Sequence, residues 1–399
     1  MAQSTYIWQL PGWPNLYVEE SALTGAIGRA RQEQGKVIGL AQAIGVPGMA
    51  QVTRDIWVDE AIATAAIEGE QLDIVSVRSS VMRRLGMPND LRAPTSRSVD
   101  GLLDVMQEAT ASYQNPLDYD RLFRWQAALF PAGTSGIHRI AVGKYRDSAA
   151  PMQIVSGTVG HEAVHYEAPP SAVVPKQMRR FLQWFERSKP QSGLNLKIDG
   201  VVRAAVAHLW FETIHPFEDG NGRVGRAIVD MALAQDAATP QRLYSMAGQL
   251  MKERDAYYEH LGKAQSGKLD ATPWVAWFVT QFQLACIVSQ NVISVIIEKN
   301  RFWTTHSAIA INDRQRKALM LLLDAGDGGF RGGMSASKYV GITRASKTTA
   351  TRDLVELEKA GLMVATGQGR ATRYWVNVPG WSIGNAEPSK PQPARAVGA

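Results

Sequence analysis

A single cysteine, Cys286, in 399 residues excludes an internal disulfide framework and a cysteine-rich zinc centre, as a reducing compartment would allow. The lone thiol reads as a small buried apolar side chain. The opening stretch MAQSTYIWQLPGWPN has no basic segment followed by an apolar one, so no secretory signal is expected and the expected location is cytoplasmic. A long unbroken hydrophobic run is also missing. Residues 282–298, the most apolar stretch, are interrupted by Gln283, Ser289, Gln290, Asn291 and Ser294, which predicts a buried helix and no membrane span. With 45% hydrophobic and 20% charged residues the composition is that of a globular chain with room for two or three domains, and it excludes a fibrous or disordered one.

Net charge is scarce except in one place. Residues 312–378 hold eleven Lys/Arg against six Asp/Glu, while residues 1–311 hold thirty of each sign. The excess of six positive charges therefore lies in the last quarter of the chain, and an acidic partner is expected for that region alone.

Hydrophobic periodicity predicts a mainly α fold. Residues 16–85 carry two helical runs, ESALTGAIGRARQEQGKVIGLAQAIG and VDEAIATAAIEGEQLDIVSVRSSVMRRLG, with VPGM as the break between them; this defines an N-terminal helical region over 1–90. Further helix-period segments at 97–112, 119–130, 174–188, 198–214, 222–236, 247–265 and 271–299 predict a helical bundle over 91–300. Within it, residues 161–165 read HEAVH, the H-E-x-x-H spacing of a zinc peptidase, which requires both histidines on one helix. Only eight residues separate Gly160 from Pro169, too few for that helix, and the alternation at 152–155 and 163–166 predicts a β-hairpin instead.

From 312 to 378 the pattern is three helices and then two strands joined at 367–370, an order that resembles a winged helix. Its expected DNA-facing residues are Lys347 and Arg352 on the third helix, with Ser346, Thr348 and Thr349, assisted by Lys338 and by Arg370 and Arg373 of the wing. The Pro-, Ala-, Ser- and Gly-rich tail, 379–399, is expected to be disordered.

One segment concentrates chemistry: HPFEDGNGRVGR, residues 215–226, between two predicted helices. Gly220, Asn221 and Gly222 at a helix start let main-chain N–H groups approach an anion closely, and the helix dipole favours it there. Arg223 and Arg226, one turn apart, can reach the same polyphosphate through their forked donors. Asp219 supplies a hard oxygen for Mg2+ beside those phosphates. His215 titrates near neutrality and can accept a proton from an attacking hydroxyl.

This motif resembles the signature of the Fic family. The runs GKYRD, IVSG, VHYEAPP and VPKQMRRFLQWF resemble its target-docking flap and the helix that follows, and RDAYYEHLGKAQSG resembles its nucleotide-side helix, so that the likeness spans about 20–300. It implies a helical bundle with a β-hairpin flap and transfer of AMP from ATP to a Ser, Thr or Tyr hydroxyl of a target protein. By position it makes His215 the base, Asp219 the Mg2+ ligand, and Gly220, Asn221 and Gly222 the anion hole. Arg223 and Arg226 become phosphate binders, and Tyr257, Tyr258 and Gln265 fall near the adenine. HEAVH then lies on the flap, whose open edge would hold the target over 152–166 by strand addition.

The run TAAIEG, residues 64–69, resembles the family's inhibitory pattern. It implies that Glu68 pairs with Arg226, occupies the γ-phosphate position and restrains the enzyme. The same glutamate could orient a water for removal of AMP. A different reading is a DNA-binding regulator whose Fic domain senses nucleotide, and a third keeps the enzyme but changes the transferred group, although Gly222 favours AMP. The target, the dominant direction and self-association into a homodimer stay open.

Overall fold

The computed structural model describes residues 6–88, 96–156, 163–190 and 198–383. These fall into two compact units, 1–290 and 291–399, so the N-terminal helices share a unit with the bundle.

Helix ends lie where the chain can turn. α1 (Glu20–Ala43) and α2 (Gly45–Ile67) meet at Ile44, with Gly45 in the left-handed region at φ +72°. The break is therefore one step earlier than VPGM, which lies inside α2. Pro47 is tolerated there because first-turn N–H groups have no helical acceptor. The second expected run also divides: α2 stops at Glu68, Gly69 turns the chain at φ +80°, and the Asp73 carboxylate caps α3 (Ile74–Arg84) by accepting from Ser76 N.

α4 (Arg97–Ala111) and α5 (Tyr119–Leu129) cross closely at Gly101, where a Cβ would collide with the carbonyl oxygen of Ala128. Two strand pairs follow. The first, β1 (Thr134–Ser135) with β2 (His138–Arg139), is too short to leave an alternation in the sequence. The second is the expected hairpin, β3 (Gln153–Ser156) antiparallel to β4 (Ala163–Glu167), with its register shifting between Ile154 and Val155.

α6 (Val174–Arg187) buries Val174, Met178, Phe181 and Phe185, the 4-3-4 spacing of one helical face. α7 (Gly200–Ile214) is buried at every residue, as its near-continuous apolar sequence requires, and α8 (Asn221–Ala237) packs along it. The single helix expected over 247–265 is two, α9 (Met246–Lys252) and α10 (Arg254–Gln265), separated at Glu253.

α11 (Thr272–Thr305) corrects the expectation drawn from 282–298: by length and composition it could cross a membrane. Of its most apolar window 39% is buried, and its first half packs into the core. Trp274, Val275, Phe278, Phe282 and Cys286 are buried and Trp274 donates to Ala205 O at 2.8 Å. Burial pushes the Cys286 thiol up to about 12, which leaves it inert as expected.

In the second unit α12 (Asp313–Ala325), α13 (Ala336–Thr343) and α14 (Lys347–Lys359) are each capped by an Asn or Ser side chain, at Asn312, Ser335 and Ser346. β5 (Met363–Thr366) and β6 (Arg373–Val376) pair antiparallel, and Met334 bridges to Tyr374. Leu319, Leu323, Tyr339, Leu354 and Met363 form its core. Buried Asp353 accepts from Arg314 and from the Tyr339 hydroxyl. Of the tail expected to be disordered, 384–399 lie outside the described residues.

The α4–α5 crossing is testable. Gly101→Ala should destabilise the protein by about 1–3 kcal/mol, the cost of overpacking. Gly39→Ala, on a part of α1 where a Cβ meets nothing within 4 Å, should be neutral or gain about 0.5–1 kcal/mol. Urea titrations of both would expose a loose crossing if Gly101→Ala also gained stability.

Candidate active site

The end of α7 and the start of α8 make the site. His215 caps α7 in the left-handed region, φ 50° and ψ 62°, which a residue with a Cβ adopts only with support. Asn221 shapes the following loop: its Oδ1 accepts from Phe217 N at 2.9 Å and its Nδ2 donates to Phe217 O at 2.8 Å. That side chain is thus occupied, and only its main chain is left for an anion. Gly220 starts α8 at φ +88° and brings no side-chain cap, so first-turn N–H groups stay open to an anion.

A carboxylate already stands there. A Cβ on Gly222 would collide with Glu68 Oε1, so glycine is what admits the acid to the first turn of α8. Arg226, whose side chain is 4% exposed, donates from Nη2 to Glu68 Oε1 at 2.8 Å. It also donates to Thr64 Oγ1 at 2.6 Å and to Thr64 O at 2.8 Å. Glu68 is the C-cap of α2, not a residue within a helix. Arg223 lies over the Phe130 ring at 4.8 Å and meets Glu70 Oε2 at 3.3 Å.

Asp219, 37% exposed, accepts from the Ser135 hydroxyl and is 3.8 Å from Arg223. Its neighbour Glu218 is engaged elsewhere, accepting from Ala141 N at 2.8 Å. The His215 side chain is 12% exposed, and burial, reinforced by Arg146, brings its pKa down to about 4. The imidazole is neutral at pH 7 and able to take a proton. Glu212, buried one turn earlier, comes within 3.7 Å of His215 Nδ1. Burial and the nearby Glu68 push Glu212 up to about 8.

Arg146, Ser135, Glu212 and Glu70 were not anticipated as site residues. Only the first had a signal, as part of the GKYRD run.

The adenine-side expectations fare unevenly. Tyr258 is exposed and donates to Ile67 O at 3.1 Å, beside the turn that carries Glu68. Tyr257 is buried with its hydroxyl 2.8 Å from His208 Nε2, and Gln265 is buried as well. His165 lies on strand β4, and His161 lies outside the described residues. Among the described residues no group of three or more His, Cys, Asp or Glu could hold a metal ion.

In the second unit Lys347 and Arg352 line a shallow groove on α14 with Thr348, Thr351, Glu356 and Lys359. Lys338 donates to Arg331 O at 2.6 Å and to Gly333 O at 3.0 Å and is exposed. Arg373 donates to Arg370 O at 3.2 Å and to Thr372 O at 2.8 Å. Both cations thus also hold turns of their own unit.

Residues 116–233 match the Fic/DOC family, and residues 6–87 match a domain of unknown function (DUF4172). The chain is 33% identical over 104 residues, 26% of its length and 28% of the relative's, to a "Probable protein adenylyltransferase" of Aquifex aeolicus. It is 28% identical over 125 residues, 31% of its length and 22% of the relative's, to a uridine 5'-monophosphate transferase of Xanthomonas campestris. In structure it resembles a Fic domain containing signaling protein from Bacteroides thetaiotaomicron, with a TM-score of 0.51 at 14% identity over 67% of this chain and 97% of that one. That likeness concerns the fold alone. The chain spans less than half the length of the curated relatives it matches.

Glu212 carries a stability signature. A carboxyl whose pKa is raised on folding contributes stability that is full below the unfolded value and lost as pH rises through the folded one. Here that window runs from the ordinary glutamate range to about 8. Glu212→Gln imitates the protonated acid, so its melting temperature relative to wild type should climb between pH 5 and pH 8. A constant difference across that range would show that Glu212 is ionised in the folded protein.

Proposed function

We propose that this chain, whose residues 116–233 belong to the Fic/DOC family, is a protein adenylyltransferase that transfers AMP from ATP to a target hydroxyl and is restrained by Glu68. The observation that carries the reading is the Glu68 carboxylate over Gly222, paired with Arg226 at the open start of α8. An acid in that position satisfies a cradle suited to phosphate, next to a buried neutral imidazole.

With Glu68 displaced, the N–H groups of the first turn of α8 receive the phosphates, Arg226 anchors the terminal one and Arg223 adds a second cation. Asp219 fits Mg2+, which takes one or two carboxylates and completes its shell with phosphate oxygens and water; when bound it would neutralise phosphate charge. The hairpin of β3 and β4 offers an open edge for an extended target segment. His215 accepts the proton of the incoming hydroxyl as its oxygen bonds to the α-phosphorus and the bond to the β-phosphate oxygen breaks, releasing pyrophosphate. Glu68 also stands where it could orient a water for the reverse removal of AMP. Tyr258 is the exposed aromatic available to the base of the nucleotide.

The uridylyl-transferring relative makes the donor the point to test. Glu68→Gly protein, supplied with Mg2+ and α- or γ-labelled ATP or UTP, should incorporate the α-label of ATP, while wild type stays nearly silent. His215→Ala in that background should lose about 10²–10⁴ in rate yet still bind nucleotide. Equal labelling by wild type and Glu68→Gly would remove the restraint from the reading, and preferential UTP incorporation would change the donor.

We propose in addition that residues 313–378 form a winged helix whose α14 binds duplex DNA, on the strength of its exposed Lys347 and Arg352 and the local excess of positive charge. Binding should weaken steeply with salt. Arg352→Ala should weaken it further, whereas Lys338→Ala should act on stability instead. An affinity indifferent to salt, or no binding at low salt, would dismiss DNA as the partner.

A further inference from the structure

A helix leaves its last carbonyls without intrahelical partners. At the end of α7 the carbonyls of Thr213, Ile214 and His215 are taken by donors from the flap or the loop before it. Thr213 O accepts from the Tyr166 hydroxyl of β4 at 2.5 Å. Arg146 Nη2 donates to Ile214 O at 3.3 Å, its Nε donates to His215 O at 2.7 Å, and its own main-chain N–H donates to Pro216 O at 2.9 Å. The same Nη2 reaches Pro169 O, at the exit of the flap, at 2.5 Å.

Arg146 is buried, and every hydrogen bond made by its guanidinium goes to a main-chain carbonyl. Such a charge is tolerated because it meets the negative end of α7. The forked donors matter as much as the charge, because one planar group spans two consecutive carbonyls of a left-handed turn and a third from another segment.

We propose that Arg146 is a positioning residue for His215: it holds the left-handed turn that presents the imidazole and fastens that turn to the end of the flap. Base and docked hydroxyl then share one rigid frame. This rests on the adenylyl-transfer reading of the site. Arg146 also opposes protonation of His215, while Glu212 of α7, Glu68 of the α2–α3 turn and Asp219 of the motif loop face the imidazole as acids.

The test uses the full chain carrying Glu68→Gly, with Arg146→Lys and Arg146→Met added separately. Lysine keeps the charge but cannot bridge three carbonyls; methionine removes both. Both should lower kcat by about 10-fold or more, as misplaced catalytic groups do, with KM for ATP within about twofold. The acid limb of the rate profile should move to higher pH in Arg146→Met and stay in place in Arg146→Lys, because only the first makes the imidazolium easier to form. NMR titration of the His215 ring, assigned against His215→Ala, should show the same displacement without reference to turnover. If the Glu68→Gly parent transfers nothing, the functional reading fails and the titration still decides the role of Arg146. Unchanged kcat in Arg146→Lys overturns the proposal even where Arg146→Met does not fold. So does an unmoved His215 titration in a folded Arg146→Met, or a loss confined to stability and ATP affinity.

Discussion

The carboxylate of Glu68 lies on the first turn of α8, where the helix exposes unbonded N–H groups and the positive end of its dipole. Glycine at 222 is demanded by this contact, since any Cβ would strike the acid. Arg226 is drawn to the same point and held at 2.8 Å. The ending of α2 follows from the same need, because Glu68 must leave the helix to reach across, and Gly69 turns the chain immediately after it. A charge-assisted hydrogen bond is worth about 1.5–3 kcal/mol, and the Glu68 side chain is 30% exposed, so the lower part of that range applies. At ~1.5–2 kcal/mol a ligand competing for the cradle would bind about 10–30-fold more weakly.

The polar groups buried near that point are in forms that a dry interior favours. α7 is enclosed on every side, yet it carries His208, Glu212 and, at its cap, His215. Burial and Arg226 bring His208 down to about 3, burial and Arg146 bring His215 to about 4, and burial and Glu68 raise Glu212 to about 8. All three are uncharged at neutral pH, which spares the cost of burying unpaired ions. Arg226 and Arg146 remain charged beside them, and each is surrounded by oxygen acceptors. A neutral base beside two fixed cations is the arrangement that phosphoryl chemistry favours, since negative charge develops next to groups already oriented toward it.

What could be read from the sequence follows how local each feature is. The 215–226 motif was legible because its roles depend on residue types a few positions apart on one turn. The hairpin was legible because alternation survives in strands of four and five residues. Strands of two residues, as in β1 and β2, are too short to show a period, so Ser135 and its bond to Asp219 left no trace. Arg146 bonds to carbonyls 23 to 69 positions away, and carbonyls belong to every residue type, so nothing in the pattern marks them as acceptors. Tyr257 shows the converse: two adjacent tyrosines look equivalent in the chain, but helical geometry turns one into the core against His208 and leaves the other exposed beside Ile67. Lys338 and Arg373, expected to face outward, also donate to carbonyls of nearby turns, a use that charge counting does not show.

The bonds that Arg226 makes to Thr64 would give the proposed restraint its particular character. If Glu68 alone positioned the guanidinium, its departure would leave the arginine free to adopt other rotamers, and the phosphate anchor would be lost together with the block. Thr64 supplies two acceptors that do not depend on Glu68, at 2.6 and 2.8 Å. They lie in the last turns of α2, which packs against α9. Arg254 and Tyr258 of α10 hold the carbonyl of Ile67, just before the acid, each at 3.1 Å. The backbone next to Glu68 is therefore held by α10, while the Glu68 side chain is 30% exposed. A release confined to that side chain would leave Arg226 held by Thr64 at the cradle. On the proposed reading, an inhibitor built this way would occupy the anion site at the start of α8, and the turn that excludes the nucleotide would also be the one prepared to receive it.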